Sequence, residues 1–149
     1  MGISEHILEL NMRALTEAVW PTVRPKLYQA IFQLLKKQAE DGEDWAQLAI
    51  GECYREGTFV PQNLKRAESI FIDHAKKKNF IAILHLISMY GDNDSPLFNM
   101  ENQYIWSSIA TIYDRRYGEL KNRIIVVGEI TKARRLVLDE QASIIFGEK

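Results

Sequence analysis

The sequence predicts an all-α chain, organised as a short α-solenoid of antiparallel helix pairs. Three observations lead there. Apolar residues recur at steps of three and four, the period of a helix with one apolar stripe. No Asn-Gly or Asp-Gly turn joins two alternating runs; the single Asp-Gly, Asp41-Gly42, closes a helix-type segment instead. The chain also resembles itself at an offset of 36 residues.

Punctuation divides the 149 residues into about eight helices. The first, over 4–19, carries the stripe Leu8, Met12, Leu15 and Val19. The second, over 22–40, carries Val23, Leu27, Ile31, Leu34 and Leu35. Pro21 and Pro25 belong to its start, where a missing N–H costs little. The third covers 44–56. The fourth, over 64–78, follows Asn63, whose side chain can accept a bond from a first-turn N–H. Its stripe is Leu64, Ala67, Ile70, Phe71 and Ala75. Helices over 80–91 and 100–115 come next, the latter behind Asn99 as a second N-cap. A helix over 118–136 absorbs Ile124-Ile125-Val126-Val127, the one β-like run. Asp139 is the expected cap of a last helix over 139–147.

At the offset of 36, Ala46 falls on Ala82, Leu48 on Leu84, Ile50 on Leu86 and Tyr54 on Tyr90. Asn63 falls on Asn99, Leu64 on Met100 and Ile70 on Trp106. One helix pair per repeat, unable to bury its apolar face alone, means stacked neighbours. The expected organisation is a single helical-repeat domain over 1–149. Residues 1–42 form an N-terminal cap and partial repeat, 43–79 the first repeat, 80–115 the second and 116–149 a C-terminal cap.

Composition excludes more than it assigns. With 46% hydrophobic and 26% charged residues, the chain reads as a globular protein and not a disordered one. A net charge of −1 gives no overall attraction to nucleic acid or anionic lipid. The lone Cys53 cannot form an intrachain disulfide or a cysteine zinc site. The N-terminus lacks the basic and apolar regions of a secretory signal, so a cytoplasmic location is expected. His6, His74 and His85 follow no metal-binding spacing. Asp92-Asn93-Asp94 opens like a calcium loop, but Leu97 stands where Gly is required and Gln103 where Glu is required. No phosphate-binding glycine loop, Walker lysine or nucleophile elbow is present. Neither a cofactor, a metal nor catalysis is expected.

The stretch Ala46-x3-Ile50-Gly51-x2-Tyr54-x2-Gly57-x2-Val60-Pro61-Gln62-Asn63-Leu64-Lys65-Arg66-Ala67-x2-Ile70-Phe71-x3-Ala75 resembles the Sel-1-like repeat, a relative of the tetratricopeptide repeat. Ala82-x3-Leu86-x3-Tyr90 with Tyr104-Ile105-Trp106 resembles a second copy, and Leu138–Ala142 the closing helix of such proteins. Phe59 departs from the pattern, since the family favours Gly there; Ile87 and Asn93 depart from it where Gly51 and Gly57 have their matches. In the paired helices Ala46, Gly51 and Ala67 permit close approach. Tyr54 offers a ring with a polar tip, and Gly57 suits the left-handed backbone that ends a helix.

The resemblance implies a right-handed superhelix that binds another protein without catalysis, as adaptor or scaffold. It also implies a concave wall built from first helices. Trp45, Ala49, Glu52, Arg55 and Glu56 would project from one such helix, with Ile81, His85 and Ser88 from the next. Small stand-alone members resemble bacterial toxin-neutralising immunity proteins, which makes a cationic toxin one expected partner. Charge distribution fits. Residues 40–56 hold Glu40, Asp41, Glu43, Asp44, Glu52 and Glu56 against Arg55 alone. Residues 115–135 hold seven bases against Glu119 and Glu129, which leaves nucleic-acid binding through that segment as an alternative. A general regulatory scaffold without a toxin partner is the other.

Overall fold

A computed structural model describes residues 2–147, with every side chain among them except that of Leu15. Among the described residues there are seven α-helices and no strand: α1 Ile3–Glu40, α2 Asp44–Glu56, α3 Leu64–Lys76, α4 Phe80–Tyr90, α5 Met100–Tyr113, α6 Tyr117–Val127 and α7 Lys132–Phe146. None is long and apolar enough to cross a membrane. The chain divides into two compact units, Met1–Gln62 and Asn63–Lys149.

The first unit is a helix hairpin. Only the last third of α1 packs on α2. Phe32 is buried and meets the Tyr54 ring edge-on at 5.8 Å, and Tyr28 meets Phe59 at 5.0 Å. Gln47 donates from Nε2 to the Ala39 carbonyl at the C-terminal end of α1, 3.0 Å away. Gly57 ends α2 with φ 72°, as the sequence suggested. Two residues on, Phe59 takes the same left-handed region with φ 66°. A non-glycine residue there is strained by roughly 1–2 kcal/mol, and the ring contact with Tyr28 offsets part of it. The departure from glycine is thus matched by a partner ring on α1.

The second unit packs α3 against α4, α4 against α5, and α5 against both α6 and α7. Asn63, Asn79, Asn99 and Thr131 cap α3, α4, α5 and α7, each accepting the N–H three residues on. Ala67, Ala82 and Ala110 are fully buried, which lets the backbones approach around Phe71, Ile83, Leu86 and Tyr104. Two phenols tie helices together. Tyr90 donates to Glu68 at 2.8 Å, and burial together with that carboxylate pushes the Tyr90 hydroxyl well above its usual range. Tyr104 donates to Asp139 at 2.8 Å, while Lys121 reaches the same carboxylate at 3.3 Å and lies over the Tyr104 ring.

The offset of 36 is visible in the helix boundaries. Asp44 and Phe80 open α2 and α4 that far apart, as do Leu64 and Met100 for α3 and α5. The Phe32–Tyr54 contact and the Tyr90–Glu68 bond occupy equivalent places, since Phe32 precedes Glu68, and Tyr54 precedes Tyr90, by the same interval. Residues 28–40 of α1 therefore correspond to α3, and residues 3–27 extend the helix beyond the repeat.

Three expectations are corrected. The helices expected over 4–19 and 22–40 are one helix, with Pro21 and Pro25 in its interior. Each proline leaves a carbonyl one turn earlier without its helical donor; this stretch of helix is exposed, where water can serve instead. The expected 118–136 helix breaks after Val127, where Gly128 ends α6, Glu129 turns left-handed at φ 48° and Thr131 caps the next helix. A Cβ on Gly128 would stand 2.9 Å from the Ile124 carbonyl oxygen, so the stop depends on glycine. Asp139 caps nothing; it lies inside α7, bound by Tyr104 and Lys121.

Candidate functional site

Spacings of four, three and four place Trp45, Ala49, Glu52 and Glu56 on one face of α2. Trp45 is 55% exposed, Glu52 and Glu56 are exposed, and Ala49 is half-buried between them. Buried residues flank this strip on both sides, Ala46 and Cys53 on one and Leu48 and Gly51 on the other. Arg55 is half-buried, with its guanidinium 3.7 Å from the Glu56 carboxylate. All six acids of residues 40–56 are exposed, so this end of the first unit carries a concentrated negative field around an indole.

The remaining expected residues lie on α4, in the second unit. Ile81, His85 and Ser88 share one face of that helix. Ile81 is 58% exposed and Ser88 is exposed. His85 is half-buried and stacks on Phe71 with ring centroids 4.4 Å apart. The eight residues thus form two strips, one on each unit.

Part of the basic segment is engaged. Of its seven bases, Arg116 pairs with Asp114 at 2.6 Å, Lys121 with Asp139 at 3.3 Å and Arg134 with Glu101 at 2.7 Å. Those three acids lie outside the segment, and their charge offsets much of the field that a phosphate backbone would need. His74 is buried, and no group of three or more His, Cys, Asp or Glu among the described residues is placed to hold a metal. Burial, then the neighbouring Glu52 charge, pushes the Cys53 thiol up and makes it a poor nucleophile.

Two surfaces were not legible as such in the sequence. An open cavity of about 480 Å3 lies between α5 and α7, walled by Ser108, Ile109 and Ile112 on one side and Asp139, Ala142 and Phe146 on the other. It comes from helices 30 residues apart, so no local motif marks it. The stripe on α1 was legible as a stripe, but its exposure was not: Leu8 is 63% exposed, Met12 57% and Leu34 63%. No protein-family model, curated protein or solved structure matches the chain.

Proposed function

We propose that this protein is a non-catalytic protein-binding module, acting as an adaptor or inhibitor, whose α2 face captures a cationic protein partner. The observation that carries this reading is Trp45, more than half exposed on a rigid helix and in line with Glu52 and Glu56. A large exposed ring is costly to leave in water and is a favoured anchor at the centre of an interface. The surrounding carboxylates steer a basic partner toward it and reject an acidic one. The Sel-1-like resemblance supports the same class of function, and the immunity-protein resemblance supplies its sharpest form: an acidic face closing over the basic active site of a toxin that acts on nucleic acid. Ile81, His85 and Ser88 on α4 form a separate candidate strip on the second unit.

The two parts of the face should separate kinetically. With the partner immobilised for surface plasmon resonance, Glu52→Lys with Glu56→Lys is expected to slow association, by a factor that shrinks as salt rises. Trp45→Ala is expected to speed dissociation, corresponding to about 2 kcal/mol or more of binding energy. Wild-type kinetics in both variants would refute the assignment.

A further inference from the structure

From the symmetry of its exposed stripe, we infer that α1 is the interface of an antiparallel homodimer. Along the open side of α1 the exposed Ala30 takes the place of the half-buried Ile31, and positions 8, 12, 15, 19, 23, 27, 30 and 34 fall at steps of 4, 3, 4, 4, 4, 3 and 4. That series reads the same in both directions, with Pro21 at its centre. A helix of this length runs about 39 Å at 1.5 Å per residue, and the steps keep the positions near one side of it. The structure leaves this side open: Leu8, Met12, Val19, Val23, Leu27 and Leu34 are each 40–63% exposed.

A palindromic stripe is self-complementary under a two-fold axis, as an isologous interface requires. Laid antiparallel on a second copy, Leu8 meets Leu34, Met12 meets Ala30, and Val19 meets Val23 across the axis. Charge selects the same orientation. Residues 3–20 hold Glu5, Glu9 and Glu17 against Arg13, while residues 21–37 hold Arg24, Lys26, Lys36 and Lys37 and no acid. Antiparallel pairing lays the acidic half of one helix along the basic half of the other, with Glu5 opposite Lys37, both exposed. Parallel pairing would set like charges side by side.

The area is adequate. An exposed aliphatic side chain offers on the order of 100 Å2 of apolar surface, so six such side chains offer on the order of 600 Å2 per copy. Trp20 at the edge of the stripe and the stems of flanking lysines add to this. A standard interface takes about 800 Å2 from each partner.

Analytical ultracentrifugation of the full-length chain is expected to show a dimer at micromolar concentration. Val19→Glu sets a carboxylate against Val23 of the second copy and is expected to raise the dimer dissociation constant by more than about a hundredfold. Val19 is 44% exposed, so the monomer should keep the circular dichroism of the native chain. Orientation is read by cross-linking, with Cys53 buried and out of the way. Leu8→Cys chains mixed with Leu34→Cys chains should form a mixed disulfide, and neither variant should cross-link with itself. A native chain that stays monomeric, an unchanged constant for Val19→Glu, or self-cross-linking of Leu8→Cys would each overturn the inference.

Discussion

Glu129 holds a left-handed backbone at φ 48° in the short link between α6 and α7, and its side chain is exposed. The strain of an L-residue in that region is roughly 1–2 kcal/mol, and glycine escapes it while losing more conformational freedom on folding. Glu129→Gly is therefore expected to stabilise the protein by about 0.5–1 kcal/mol, read as a higher urea midpoint with an unchanged slope. The acid response is also set by single residues. Hydrogen bonds from Arg134 hold the Glu101 carboxyl below the usual carboxylate range, through contacts of 2.8 and 2.7 Å that join α5 to α7. A carboxylate lowered in the folded state adds stability above its unfolded value, about 4.3, and loses it as pH falls through the folded value. Both side chains are more than 40% exposed, so the effect is modest. Glu101→Gln should flatten the fall in urea midpoint between about pH 5 and pH 2, and a native-like slope would remove the pair from acid unfolding.

At the scale of elements, local chemistry made much of the fold legible. Asn63 and Asn99 cap helices because their side chains accept first-turn N–H groups, and Gly57 ends α2 because it accepts φ 72°. The span 44–56 matches α2 throughout. Errors arose where a local rule met a competing one. Residues 118–136 keep an apolar period across a break, so periodicity hid the stop that Gly128 and Thr131 impose. Asp139 has the chemistry of a cap but is used by Tyr104 and Lys121, partners that only packing brings near. Pro21 and Pro25 mark a helix start by rule, yet α1 runs through both. That continuity has a measurable consequence. An interior proline costs a helix about 3 kcal/mol, less the roughly 0.4–1 kcal/mol by which proline restrains the unfolded chain. Replacing Pro21 and Pro25 by alanine is expected to slow amide hydrogen exchange across residues 17–29. Unchanged exchange there would mean that the prolines do not limit the stability of α1.

For the whole molecule, the candidate site was legible in part. The shared face of Trp45, Glu52 and Glu56 could be read, because helical spacing alone fixes which side chains lie together on α2. Ile81, His85 and Ser88 could be placed together on α4 for the same reason, without the stacking of His85 on Phe71. The pairing of Arg134 and Lys121 with acids outside the basic segment could not be read, since Glu101 and Asp139 are distant in sequence and meet these bases only on folding. Those pairs turn attention from the basic segment to the acidic α2 face. The most direct measurement is a parallel affinity capture with the native chain and with Trp45→Ala/Glu52→Lys/Glu56→Lys, at low and at high salt. Captured proteins are then ranked by isoelectric point, and direct binding is confirmed with each purified candidate. The expected result is a basic protein held by the native chain, weakened by salt and absent with the triple variant. Equal capture by both chains would contradict a function based on the α2 face.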